Sequence, residues 1–144
     1  MATLEKMRVS KFFKPYNKDG TTNLGFSKSK AGVYIIKKSD KIVYIGYSAT
    51  NLYKTLTRHF QSWEDNTQVR VSYGKYQRDS ITVRVIVTTP ARAEKLERAL
   101  ILKHEPKDNP NKLKGYKLDR GEKELLKTYE QQPPEGYTTL ENPF

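Results

Sequence analysis

The stretch GVYIIKKSDKIVYIGYSATNLYKTLTRHF, Gly32 to Phe60, contains two strand-like runs and the start of a helix. Two β-branched, tyrosine-containing segments flank Ser39-Asp40, a pair suited to a turn, so residues 31–46 read as a β-hairpin. Behind it, Ser48 or Thr50 is a candidate N-cap for a helix over residues 49–62. At about 100° per residue, Leu52, Leu56, Phe60 and Trp63 share one arc and form the core face of that helix. Thr55, His59 and Ser62 lie along the border of the arc, with Asn51 and Arg58 slightly further round. A histidine at such a border is more often structural than catalytic.

Working outward, VRVSY (69–73) and ITVRVIVT (81–88) have the composition of strands, and residues 74–79 would join them as a second hairpin. Thr89 and Pro90 make a cap and first turn for a helix running to about His104. Its apolar arc holds Ala93, Leu96, Leu100, Ile101 and His104, and Glu97 falls inside that arc. Burying a carboxylate without a partner is costly, so Glu97 calls for a cation, hydrogen-bond donors or a metal ion. The plainest solution is a salt bridge to a lysine or arginine at the domain edge. EPKDNPNK reads as a loop, and a weaker helix follows from about Gly121 to Gln131. The order β-β-α-β-β-α gives an α+β fold: a small, mostly antiparallel sheet of three to four strands flanked by helices.

The 144 residues suit one domain, and 35% apolar residues limit it to a modest core. Net charge is +11, and residues 1–60 carry 12 basic against 3 acidic side chains. Such a balance favours a polyanionic partner, most often nucleic acid, over a purely solubilising role. The absence of cysteine excludes disulfides, thiolate zinc sites and cysteine nucleophiles. His59 and His104 are the only histidines, too few for a histidine-rich metal site. No apolar run is long enough for a membrane span and the N-terminus lacks a signal-peptide core, so the expectation is a soluble intracellular protein.

Residues 1–30 form a basic N-terminal extension with Phe12, Phe13, Tyr16 and Phe26 set among lysines. Such a segment either lies along nucleic acid, with its rings on bases, or wraps the domain and buries its phenylalanines. The second reading is slightly favoured. Residues 31–111 read as the main domain, 112–131 as a basic linker and helix, and 132–144 as an acidic, proline-containing, extended tail. The tail is a candidate docking peptide for a protein partner.

With these residues in view, the chain resembles the GIY-YIG nuclease family. Gly32-Val33-Tyr34 and Tyr44-Ile45-Gly46 match the two halves of the name motif, with nine residues between the tyrosines. Glu97-Arg98-Ala99-Leu100-Ile101 and Pro106-Lys107-Asp108-Asn109 resemble the family's E-x-x-L-I and P-x-x-N endings. The resemblance covers about residues 31–111. It implies a metal-dependent endonuclease that hydrolyses DNA phosphodiesters with one Mg2+ or Mn2+ ion; RNA is left open. By resemblance Glu97 binds the metal, and Tyr34 or Tyr44 orients the attacking water or takes its proton. His59 matches a histidine near the scissile phosphate, Asn109 supports the site from its loop, and Gly32 and Gly46 are the motif glycines.

The family carries an arginine four residues before that histidine, and Thr55 stands there in this chain. Threonine supplies no cation. Arg58, one turn on, is the first candidate to replace it, and Lys54, Arg70 and Arg84 are further cations for nucleic-acid binding. The alternative is a catalytically impaired DNA-binding or assembly module on the same fold. An RNA-associated basic protein would account for the charge but not for the two tyrosine motifs and Glu97.

Overall fold

The computed structural model describes residues 7–60, 73 and 80–140. Strands β2 (Gly32–Lys38) and β3 (Lys41–Ser48) form the expected hairpin. Strand β4 (Ile81–Thr88) pairs with the other side of β2, and β1 (Met7–Val9) pairs with the outer edge of β4. The order is β1-β4-β2-β3, with every neighbouring pair antiparallel. The strand expected over 69–73 and the turn after it lie outside the described residues, apart from Tyr73.

β1 lies within residues 1–30, the segment read from the sequence as a basic N-terminal extension, and adds a strand to the sheet. Three residues are too few for alternation to show in the sequence. The pairing continues past β1 irregularly: Ser10 N–H donates to Val85 O, and Phe13 and Val83 exchange two backbone bonds, all at 2.9 Å.

Because β2 is central, its run Val33-Tyr34-Ile35-Ile36 is buried on both faces. On one face Tyr34, Ile36, Val83, Val85 and Val87 pack under helix α1 (Leu52–Thr57) and the 3-10 turn Arg58–Phe60. Leu24, Phe26 and Leu140 complete that layer. On the other face Val33, Ile35, Ile45 and Ile86 pack under helix α2 (Pro90–His104), with Leu125 of helix α3 (Arg120–Gln131) behind it. Leu52, Leu56 and Phe60 are buried as expected, and so are Ala93, Leu96, Leu100 and Ile101. His104 is not: it lies exposed in the last turn of α2.

Thr89 and Pro90 open α2 as expected, with the Thr89 hydroxyl accepting from Arg92 N–H. α1 is shorter than expected and is capped by Asn51, whose side chain accepts from Lys54 N–H at 3.2 Å. Ser48 acts one step earlier, its hydroxyl accepting from Asn51 N–H at 3.0 Å. α3 begins in a capping box of Asp119 and Glu122. The fully buried Glu122 also accepts from Arg98 Nε at 2.7 Å, which ties α3 to α2.

Through residue 140 the acidic tail is not a free peptide but is folded onto the chain's own N-terminal segment. Glu135 N–H donates to Val9 O at 2.9 Å, and Glu135 O accepts from Lys11 N–H at 2.8 Å. The Glu135 carboxylate pairs with Arg8, and Tyr137 stacks on Phe13 at 4.3 Å. Phe26 is likewise turned inward, so this segment wraps the domain, as the favoured reading had it.

One irregularity matters for the site. Ile36 pairs with Tyr44 but Lys37 pairs with Ile42, which leaves Val43 as an extra residue on β3. Such a bulge reverses the alternation of side chains beyond it. Regular alternation would send Tyr44 to the face that holds Ile42. Instead both Val43 and Tyr44 pack on the face that holds Tyr34.

Candidate active site

Tyr34 is only 2% exposed, and its hydroxyl is hydrogen-bonded to His59 Nε2 at 2.9 Å. The half-buried Tyr44 ring stacks beside Tyr34 at 6.2 Å and lies 4.6 Å from the His59 ring. His59 reaches them because α1 tightens into a 3-10 turn after Thr57. The turn directs His59 and Phe60 inward and leaves Arg58 exposed. A Cβ at Gly46 would fall inside the Tyr34 phenol, and one at Gly32 would overlap the Ile86 carbonyl. Both motif glycines are therefore needed for close approach.

The loop after α2 grips β3 on both sides of Tyr44. Asn109 is buried, its Oδ1 accepting from Ile45 N–H and its Nδ2 donating to Ile45 O, both at 2.9 Å. Asp108 N–H donates to Val43 O, also at 2.9 Å. The Asp108 carboxylate accepts from the Tyr73 hydroxyl at 2.8 Å, and Tyr73 N–H donates to His59 O at 2.6 Å. Tyr73 and Asp108 are site-wall residues that sequence reasoning missed. Asp108 lies inside the quoted P-x-x-N segment, whereas nothing in the sequence marks Tyr73.

Glu97 occupies the middle of α2, largely buried. The expected salt bridge is absent: among the described residues its carboxylate has neither an ion pair nor a hydrogen bond. Its neighbour Arg98 is held by Glu94 and Glu122 instead. Burial pushes the Glu97 carboxyl up to about 7; Arg98 opposes this and Glu94 adds to it. Burial also raises the Tyr44 hydroxyl above its ordinary value, and the charge of Glu97 raises it further. Tyr34 is raised well above normal by burial, with Tyr44 and Glu97 adding and Arg58 opposing. At Tyr34, desolvation, Tyr44 and Glu97 together outweigh Arg58.

The sequence model of the GIY-YIG catalytic domain matches residues 30–117, well over half of the chain. The chain belongs to the GIY-YIG family. UvrABC system protein C of Thermosipho africanus (strain TCF52B) is 39% identical over 80 residues, which cover 56% of this chain and 13% of that protein. This chain therefore matches a small part of that relative's length. No solved structure matches.

Within the GIY-YIG frame the expected site residues divide. Tyr34, Tyr44 and His59 are in ring contact, and the charge of Glu97 reaches both tyrosines. Arg58 borders them from the turn, and its charge is felt at Tyr34. Thr55 turns its hydroxyl back to Asn51 O at 3.3 Å. Lys54 is exposed on α1, and Arg70 lies outside the described residues. Arg84 is not brought to the site. It lies on the face away from Tyr34, with Nε donating to Ser10 O at 2.8 Å and Nη1 to Tyr129 Oη at 2.9 Å. Its guanidinium also covers Phe12 at 4.4 Å.

Among the described residues no three His, Cys, Asp or Glu side chains converge as a metal cage. The donor set is the Glu97 carboxylate, without a partner among the described residues. Magnesium commonly takes one or two carboxylates and fills its remaining positions with water and phosphate oxygens, so Glu97 fits such an ion. No helix among the described residues is long and apolar enough to cross a membrane.

Proposed function

We propose that this chain is a divalent-metal-dependent endonuclease that hydrolyses DNA phosphodiester bonds. The observation that carries this reading is the Glu97 carboxylate, without a partner among the described residues, whose charge acts on Tyr34 and Tyr44 beside His59. Glu97 would hold one Mg2+ or Mn2+ ion, which when bound supplies a Lewis acid that offsets charge on the leaving oxygen.

Of the two tyrosines, Tyr44 is the one open to an incoming water, since Tyr34 is sealed and committed to His59. The Tyr44 oxygen orients that water by accepting its hydrogen bond; it could take the water's proton only as phenolate, after its own proton has passed to solvent, and burial opposes that ionisation. With the charge of Glu97 neutralised, burial alone holds the Tyr44 phenol up. Tyr34 and His59 form a bonded pair beside the Tyr44 ring, while Asn109 and Asp108 bond the backbone of its neighbours Ile45 and Val43. Arg58 supplies the cation for the non-bridging oxygens, in the role that Thr55 cannot fill. Asn109 acts through β3, without touching substrate.

The departure at Thr55 favours a second reading, a non-catalytic DNA-binding module. Plasmid cleavage with Mg2+ or Mn2+ separates the two. The enzyme nicks or cuts, and loses activity in Glu97→Ala and Tyr44→Phe. Intact plasmid under every divalent metal, with tight salt-sensitive binding retained, leaves the binding module.

A further inference from the structure

The charge of the described chain is divided between two halves. Residues 7–60 hold 11 Lys and Arg against 2 Asp, whereas residues 80–140 hold 12 against 9 acidic side chains. Of the twelve cations in residues 80–140, Arg98, Lys103 and Arg120 on the helices α2 and α3 meet carboxylates among the described residues. Of the cations in residues 7–60, Arg8 alone is ion-paired with a carboxylate among the described residues. Even Asp19, which sits among these lysines, is spent on the Thr21 amide and hydroxyl at 3.0 and 2.6 Å.

This more basic half is a fixed surface. Tyr16 and Thr22 bridge to form a small hairpin with Lys18 at its tip, held by Asn17 N–H to Thr21 O at 2.8 Å. The hairpin is seated beside the proposed site, because Tyr16 meets Phe60 edge-on at 5.5 Å and Phe60 follows Arg58 and His59 in the same turn. Leu24 and Phe26 pack with Leu52 and Leu56 of α1. Lys30 O accepts from Leu52 N–H at 2.9 Å, and Lys28 Nζ lies over the Tyr53 ring at 4.8 Å. The same helix thus carries the basic segment on its flank and Arg58 at its end. The rings that could have stacked on bases are committed to the protein: Phe13 and Phe26 to Tyr137, Tyr16 to Phe60, and Phe12 under Lys37 and Arg84.

We infer that the exposed lysines of residues 14–28, with Lys54 and Arg58 of the α1 segment, form a rail that holds the backbone of duplex DNA as it leaves the site. Residues 14–28 lie outside the span matched by the family model. With ammonium groups as contacts and no free ring, the rail reads phosphates and not sequence. The inference rests on the phosphodiesterase reading of the neighbouring site.

Fluorescence anisotropy with a labelled 30-base-pair duplex tests it, in the full chain carrying Glu97→Ala and without metal so that the duplex stays intact. The triple variant Lys14→Ala, Lys18→Ala and Lys28→Ala should bind at least tenfold more weakly. Its plot of log affinity against log salt should be shallower by about 2–3, near 0.9 per lost phosphate contact. The same three positions changed to Arg should keep the parent slope, which shows that charge is read and not folding. Lys123→Ala with Lys127→Ala, on the exposed side of α3, should change neither quantity. A triple Ala variant with the parent's slope and affinity, or an equal loss in the α3 pair, overturns the rail and leaves the nuclease reading standing. Preference for duplex RNA over duplex DNA at equal salt overturns the choice of partner. If the Glu97→Ala parent binds no duplex at all, the rail and the nuclease reading fall together.

Discussion

Asn109 and Ile45 exchange two hydrogen bonds, so that a side-chain amide pairs with both backbone groups of the residue next to Tyr44. The contact does the work of another strand on the outer edge of β3, and it does so from the loop that ends the Glu97 helix. Replacing Asn109 by Ala leaves two buried backbone groups unpaired, at a cost of roughly 1–3 kcal/mol for each such group. Urea unfolding should therefore show a lower midpoint for Asn109→Ala, and kcat should fall more than KM rises, because Tyr44 loses its aim. A variant with wild-type stability and lowered kcat would instead put Asn109 in contact with substrate.

Tyr34 and Tyr44 should separate kinetically. Tyr44→Phe removes the hydroxyl proposed to handle the attacking water and should lower kcat by about 10²-fold or more, the usual range for acid–base groups. Tyr34→Phe removes the hydroxyl bonded to His59 Nε2 in a buried setting. Its loss should be smaller, with a shifted pH profile and a lower melting temperature. Single-turnover cleavage across pH 6–9 measures both.

Arg58 should carry the cationic role. Loss of a transition-state charge stabiliser costs on the order of 10²–10³ in rate, so Arg58→Ala should drop kcat by that amount, with Arg58→Lys intermediate. Thr55→Arg in the Arg58→Ala background should restore part of the activity. An active enzyme indifferent to Arg58→Ala would remove the residue from the mechanism.

Glu97 predicts a pH-dependent stability that metal abolishes. Its carboxyl stands near 7 in the fold against 4.5 ordinarily, so the buried neutral form is favoured. The stability it contributes is complete below about 4.5 and is lost as pH rises through about 7. Without metal, the melting temperature of the wild type relative to Glu97→Gln should fall between pH 5 and pH 8. Millimolar Mg2+ at pH 8 should raise the wild type and leave Glu97→Gln unmoved. Parallel curves for the two proteins, with or without Mg2+, would remove Glu97 as the metal ligand.

Much of this arrangement was legible in the residues. The hairpin, the Leu52–Leu56–Phe60 face and the Thr89-Pro90 start are local signals of periodicity and capping, and they survive folding because nothing distant competes with them. Glu97 was marked by being a carboxylate on an apolar arc. What escaped was set by long-range pairing. Met7–Val9 becomes a strand only because β4 offers an open edge, and Arg84 is held on the face away from Tyr34 by Ser10 and Tyr129, far along the chain. The tail likewise docks at home through Glu135 and Leu140, which composition alone portrayed as solvated.

The Val43 bulge turns the spacing of the two tyrosines into a parity rule. In a hairpin closed by two residues, as at Ser39-Asp40, cross-strand partners have residue numbers with an odd sum, and Lys38 with Lys41 obeys this. Tyr34 and Gly46, like Ile36 and Tyr44, sum to an even number and share a face only because one residue has been slipped in between. A motif with an even number of residues between its tyrosines needs no slip, whereas one with nine, as here, needs an odd number of them. With a two-residue turn, the interval between the halves of the motif can therefore lengthen or shorten freely only in steps of two, and every odd step must be matched by a bulge gained or lost or by a turn of different length.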